Sequence, residues 1–262
     1  IDKAVHASVY DGLALSQTAY TRYSHNNLDD LAKKINTNPL CSVVITEGIF
    51  SMSGQKAPLG KISALCHPHE MPLIVDEAHS FGVTGRQGAG LVSLHGLSQK
   101  EVPLRIIPLG KACAGHGAII AGQGGWVEAI LQAGRSLIYS TSVSPALSAG
   151  LLYTLSIVME SEDRRARLNE LIAAFKEQTN KSDLDWADSD TAIQQLRLAC
   201  PHRALYYAQA LKERGFFCSA IRAPTVTLKA TGLRIILNYQ HTSEQIKQLF
   251  THIRSIDESA HY

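Results

Sequence analysis

Short aliphatic runs alternate with amphipathic stretches through most of this chain. Cys41 to Thr46, Leu73-Ile74-Val75 and Leu104 to Leu109 are apolar runs of strand length, the pattern of strands buried on both faces of a parallel sheet. Helical spacing fills the gaps. It covers Ser8 to Tyr20, a segment capped by Asn26 with Leu28, Leu31, Ala32 and Ile35 on one face, and Leu59 to His69. Gly117 to Gly122 predicts a further strand, and a helix from Trp126 to Ala133 precedes Leu137-Ile138-Tyr139. From Pro145 to Lys181 the pattern is helical, with a charged break at Glu160 to Arg167 that predicts two helices. The tail differs: strands at Ala192–Leu198, Phe216–Ile221 and Gly232–Asn238, with helices at His202–Gly215 and Ser243–Ile256, predict a small α+β domain. The expected division is a sheet domain over 1–150, then connecting helices and the small domain over 151–262.

Composition narrows the function classes. With 262 residues, 45% of them hydrophobic, the chain can bury a large core. A net charge of +2, with Lys and Arg scattered, argues against a nucleic-acid partner. The five cysteines are odd in number and mostly sit in apolar runs, which predicts reduced residues and a cytoplasmic location. His67-Pro68-His69 lacks cysteine or acidic ligands at matching spacing, so no metal is expected. No apolar run approaches membrane-spanning length, so no membrane partner is expected. The chain opens at Ile1-Asp2-Lys3-Ala4-Val5, without an initiator methionine and with the look of the middle of a strand, and is expected to be a piece of something longer. The glycines from Gly82 to Gly90 match no nucleotide fingerprint and predict a flexible turn.

Candidate chemistry collects at strand ends. In open α/β sheets ligands bind beyond the carboxyl ends of the strands, which places Asp76 and His79, after Leu73-Ile74-Val75, at a binding crevice. Taken alone, they also read as a turn-capping aspartate and a backbone-bonded histidine. Lys111 follows a second apolar strand and a glycine, among small residues. Kept dry there, its charged form is disfavoured and it becomes a carbonyl nucleophile; taken alone, it also reads as a snorkelling surface lysine. Together, a strand-end aspartate for a ring nitrogen, an imidazole three residues on and a strand-end lysine are the parts of a pyridoxal phosphate site.

Several motifs then carry a resemblance. Val75-Asp76-Glu77-Ala78-His79, Leu109-Gly110-Lys111, Glu47 to Gly54 with Ala57-Pro58-Leu59, His6-Ala7-Ser8, Arg22 to Asn27 and Tyr139-Ser140-Thr141-Ser142 together resemble the α-oxoamine synthases. These are fold-type I pyridoxal phosphate enzymes that join an amino acid to an acyl thioester. The likeness runs from the first residue to about His252. It implies the aminotransferase class I/II fold, a mostly parallel sheet flanked by helices. Ala220 to Val226 and Leu233-Arg234-Ile235 look most like the branch that condenses L-alanine with a pimeloyl thioester. Glycine C-acetyltransferases, 5-aminolevulinate synthases and serine palmitoyltransferases share the core motifs, and a non-catalytic truncated homologue is the remaining alternative.

The resemblance implies a role for each matching residue. Lys111 holds the cofactor through its amine and moves protons at the amino acid Cα. Asp76 pairs with the protonated ring nitrogen, His79 bonds the phenolic oxygen, His6 stacks on the ring, and Ser51 lies near the same oxygen. Arg234 grips the substrate carboxylate as a two-pronged donor. Arg222 lines the acyl pocket or makes a structural ion pair. Ser140 and Thr141 reach the phosphate of a neighbouring subunit, which implies a homodimer whose small partners are an amino acid and an acyl-CoA or acyl carrier protein thioester. His25 and Asn27 read as turn-fixing residues and His241-Thr242 as a helix start.

Three departures stand out. Pro108 occupies the place, three before the lysine, where the family usually carries a phosphate-bonding hydroxyl. Ser53 and Gln55 replace the usual acids of their loop. The family's N-terminal third, with its phosphate-cradling turn, has no counterpart here, so the chain as it stands is expected to bind cofactor poorly or not at all.

Overall fold

A computed structural model describes residues 1–259. It divides into two compact units, one of residues 1–50 and 57–162, the other of 51–56 and 163–262. Residue 150, the expected boundary, falls inside a helix.

The first unit is built on a four-stranded sheet in the order β1 (Val44–Glu47), β2 (Leu73–Asp76), β3 (Leu104–Pro108) and β4 (Ala118–Gly122). β1, β2 and β3 are parallel, with Val44 opposite Leu73 and Asp76 opposite Ile106, while β4 returns antiparallel from β3. Leu73 and Val75 are fully buried, as a continuous aliphatic run requires. Around the sheet lie α1 (Ala7–Leu15), α2 (Leu28–Thr37), α3 (Leu59–Cys66), α4 (Leu91–Leu94), α5 (Gly124–Ala133), α6 (Arg135–Ile138) and α7 (Pro145–Glu160). α3 buries Leu59, Ile62 and Cys66, the spacing of one helical face, in the same core as Leu73 and Val75. A 3-10 turn at His67–His69 ends it.

The expected boundaries shift where local geometry intervenes. α1 stops at Leu15 because Gln17 adopts φ 52°, so the helix predicted to Tyr20 is cut short. The cap of α2 is Asn27, whose side chain accepts the Asp30 N–H at 2.8 Å; Asn26, expected there, sits at φ 53° instead. His25 Nδ1 lies 3.0 Å from Asp2 Oδ1, in keeping with a turn-fixing role.

The second unit is an antiparallel sheet in the order β5 (Ile193–Arg197), β7 (Gly232–Ile236), β6 (Ser219–Ile221), with α8 (Glu162–Thr179), α9 (Pro201–Glu213) and α10 (Ser243–Ser259). α7 and α8 break at Ser161, within the charged stretch. α10 buries Ile246, Leu249, Phe250, Ile253 and Ile256, and Phe250 meets Phe175 edge-on at 4.9 Å. Thr242 and Gln245 form a reciprocal capping box, at 3.1 and 2.9 Å, so the predicted helix start is a cap. Segment 51–56 belongs here because the Gly54 carbonyl accepts from the Ser189 and Thr191 hydroxyls at 3.2 and 2.8 Å, and Lys56 pairs with Asp190 at 2.8 Å. Gly54 has φ +72°, and a Cβ there would stand 1.9 Å from the Ile193 carbonyl oxygen. Among the described residues no helix is long and apolar enough to cross a membrane.

Candidate active site

Parallel pairing of β1, β2 and β3 brings their carboxyl ends to one edge of the sheet. Asp76 is the last residue of β2 and is 9% exposed. Its Oδ1 accepts the Ala78 N–H at 2.8 Å, so it also caps the next turn; Oδ2 takes no hydrogen bond among the described residues. Burial raises its pKa above the usual aspartate range, and the Ala78 N–H and the charges of Lys111 and His6 oppose that rise. The Lys111 and His6 side chains are thus near enough to act on one buried carboxyl.

Lys111 follows β3 in a tight turn. The Leu109 N–H bonds the Gly117 carbonyl at 3.0 Å, the Gly115 N–H bonds Leu109 at 2.9 Å, and Ala114 takes φ 47°. Cys113 is buried, but Lys111 itself is exposed. The dry lysine expected from its small neighbours is therefore corrected: the turn lifts the residue clear of the sheet, and alanine and glycine are too small to cover it. His6 caps α1, its Nδ1 accepting the Ser8 N–H at 3.3 Å, and leaves its ring exposed. His79 is half-buried in the turn after Asp76.

The remaining candidates lie elsewhere in the sequence and are placed by their own units. Ser140 and Thr141, after α6, are exposed, and the Ser140 hydroxyl donates to the Ser136 carbonyl. In the second unit Ser51 is buried, and Arg234 sits mid-strand in β7 opposite Gln195. Burial lowers the pKa of Arg234, and its buried Nε has no hydrogen-bond partner among the described residues. Arg222 is exposed and forms no ion pair among the described residues.

Within the first unit the donor set fits pyridoxal phosphate: an accessible primary amine on Lys111 and a buried Asp76 carboxylate with one oxygen free of hydrogen bonds among the described residues.

The turn that carries Asp76 and His79 is held by a residue the sequence reading passed over. Glu77 is fully buried. Its carboxylate accepts the Leu91 N–H, the Val92 N–H and Arg105 Nη2, each at 2.9 Å, and also the Ser80 hydroxyl. Arg105 Nη2 further donates to the Ala89 carbonyl. The Gly82–Gly90 segment is accordingly no flexible turn: the Gly82 N–H bonds Gly88 at 2.7 Å and the Gly90 N–H bonds Thr84 at 2.9 Å. An arginine inside the apolar Leu104–Leu109 run was the available signal, because a charge there needs a buried partner.

A family model described as aminotransferase class I and II matches residues 1–253. The 8-amino-7-oxononanoate synthase of Hahella chejuensis is 37% identical over 249 residues, 95% of this chain and 63% of that protein. The crystal structure of 8-amino-7-oxononanoate synthase from Francisella tularensis is 33% identical, covers all of this chain and 75% of its own, and superposes with a TM-score of 0.88. A serine palmitoyltransferase determined with a PLP internal aldimine is 26% identical over 98% of this chain and 66% of that one, with a TM-score of 0.90. The chain spans 62 to 64% of the length of the curated relatives it matches.

Proposed function

Because the chain belongs to the aminotransferase class I and II family, in its α-oxoamine synthase branch, we propose that it is a pyridoxal phosphate-dependent C-acyltransferase. In this reading it condenses L-alanine with a pimeloyl thioester, releasing the thiol and CO₂, to give 8-amino-7-oxononanoate for biotin biosynthesis. The observation that carries it is the buried Asp76 carboxylate, one oxygen unused, within reach of the Lys111 and His6 charges.

When bound, pyridoxal phosphate supplies an electron sink for the alanine Cα. The chain's own residues bind and orient. Lys111 provides the amine that fixes the cofactor and, once free, accepts and returns a proton at Cα. Asp76 would hold a positive charge at the ring nitrogen, His79 and Ser51 would bond the phenolic oxygen, and His6 would cover one ring face. Arg234 would grip the substrate carboxylate as a two-pronged donor and so orient the amino acid for reaction at Cα. Arg222 lines the acyl pocket. Ser140 and Thr141 reach the phosphate held by a second copy, so the working form is a cytoplasmic homodimer.

The test is an absorbance titration of the chain with pyridoxal phosphate, borohydride reduction and mass analysis of the Lys111 peptide. Cofactor fixed on Lys111, followed by 8-amino-7-oxononanoate from L-alanine and pimeloyl-CoA or its acyl carrier protein ester, supports the reading and overturns the expectation that the chain as it stands binds cofactor poorly. No band, or fixation elsewhere, refutes the reading. The fold likeness to serine palmitoyltransferase favours a second reading, with serine or another amino acid as acceptor, which product analysis separates.

A further inference from the structure

We propose that Glu77, clamped by Arg105, is a positioning residue that fixes the direction of the Asp76 carboxylate at the end of β2. The proposal rests on the reading of Asp76 as the ring-nitrogen partner; Glu77 itself touches no cofactor.

Asp76 ends β2 and Glu77 opens the turn that follows, the turn whose Ala78 N–H the Asp76 carboxylate accepts. Whatever anchors Glu77 therefore anchors the N–H that holds the Asp76 carboxylate. The Glu77 side is locked from every direction: two backbone N–H groups of α4, the Ser80 hydroxyl and Arg105 all donate to one buried carboxylate. Its walls are glycines. A Cβ on Gly48 would stand 3.0 Å from Glu77 Oε2 and 2.6 Å from Ser80 Oγ, and a Cβ on Gly90 2.7 Å from Glu77 Cδ and 2.8 Å from Arg105 Nη2. The main chain of the same residues is pinned as well: the Glu77 N–H bonds Ile106 at 2.8 Å, and its carbonyl accepts the Ser80 and Phe81 N–H groups at 3.1 and 2.9 Å. Against this anchor the Asp76 carboxylate needs only the Ala78 N–H to hold its aim. Arg105 belongs to β3, the strand that leads to Lys111, so one ion pair ties together the two strands that deliver the aspartate and the amine.

The experiment compares wild type, Glu77→Gln and Asp76→Asn as full chains, first by amide hydrogen exchange without cofactor. The Ala78 N–H reports directly on Asp76, and the Ile62 N–H in α3 reports on the fold of the same unit. In Glu77→Gln, Ala78 is expected to exchange about tenfold faster with Ile62 unchanged. Equal acceleration at both sites, or none at Ala78, overturns the positioning role and leaves a purely structural residue. Should Glu77→Gln fail to fold, Ser80→Ala removes one of the four donors and keeps the charge; about threefold at Ala78 alone is then expected, and no selective change overturns the proposal. Cofactor titration separates the two readings. Wild type with cofactor fixed on Lys111, and weaker binding by about tenfold in both Glu77→Gln and Asp76→Asn, is the supporting outcome. Wild-type affinity in Glu77→Gln overturns this inference alone, whereas no fixation on Lys111 in wild type overturns the function and the role with it.

Discussion

Asp76 reaches past its neighbour to accept the N–H of Ala78 at 2.8 Å, using one carboxylate oxygen on its own turn and leaving the other without a hydrogen bond among the described residues. Burial raises its folded pKa, while in the unfolded chain it ionises at the ordinary value. Between those two values the folded state binds more protons, so this group makes stability fall as pH rises through the window, and its cost is fully present above it. Asp76→Asn is therefore expected to raise the melting temperature at neutral pH, and to raise it less at a pH where an ordinary aspartate is protonated. Calorimetry of both chains at the two pH values checks this; an equal shift at both contradicts it.

Lys111→Ala separates chemistry from folding. The side chain is exposed, so its removal is expected to change stability by no more than about 0.5 kcal/mol while abolishing borohydride-fixed cofactor. Denaturant melts and peptide mass analysis give the two answers independently.

Gly90→Ala should be costly for its size. Gly90 has φ +91° and ψ −179°, a region essentially confined to glycine, and its added Cβ would meet the buried Glu77 carboxylate. A loss of about 3 kcal/mol is expected by urea unfolding, the sum of backbone strain and a displaced buried ion pair.

Pro108→Thr addresses the departure from the family pattern. Pro108 is the last residue of β3, opposite Ala118, and offers neither hydroxyl nor N–H. A hydroxyl reaching the cofactor phosphate is expected to tighten cofactor binding by about tenfold, the scale of one hydrogen bond to a charged group. Fluorescence titration measures it, and unchanged affinity argues against a phosphate at that strand end.

In the second unit Tyr207 donates to Asp257 and joins α9 to α10, with its pKa pushed up to about 12 by burial and by that carboxylate. Tyr207→Phe is expected to cost about 1 kcal/mol, because Asp257 is partly exposed and water replaces the lost donor. Thermal melts follow the change.

What could be read from the chain was what local pattern determines. β2 declared itself through Leu73 and Val75, α3 through Leu59, Ile62 and Cys66, and α10 through its apolar stripe and Thr242 cap. The placing of Asp76 at the end of β2 and of Lys111 just after β3 followed from the same aliphatic runs. Tertiary facts stayed hidden. Nothing adjacent to Lys111 tells whether another element covers it, so the dry lysine was an inference from small neighbours alone. Nothing adjacent to Glu77 tells that Leu91 and Val92, more than a dozen residues on, would bring their N–H groups to it. The choice of Asn27 over Asn26 as a cap turned on a single left-handed residue, a distinction below what residue spacing can express.

The excursion of residues 51–56 gives this chain a topology that resists dissection. A cut after residue 162 looks natural on paper, since everything beyond it belongs to one unit. The piece released would nevertheless lack six of that unit's residues and, with Gly54, an acceptor for the buried hydroxyls of Ser189 and Thr191. The piece left behind would carry those six residues with no body to dock on. Exchange of this small unit between relatives therefore cannot proceed by joining a single segment of gene; two distant stretches must travel as a matched pair.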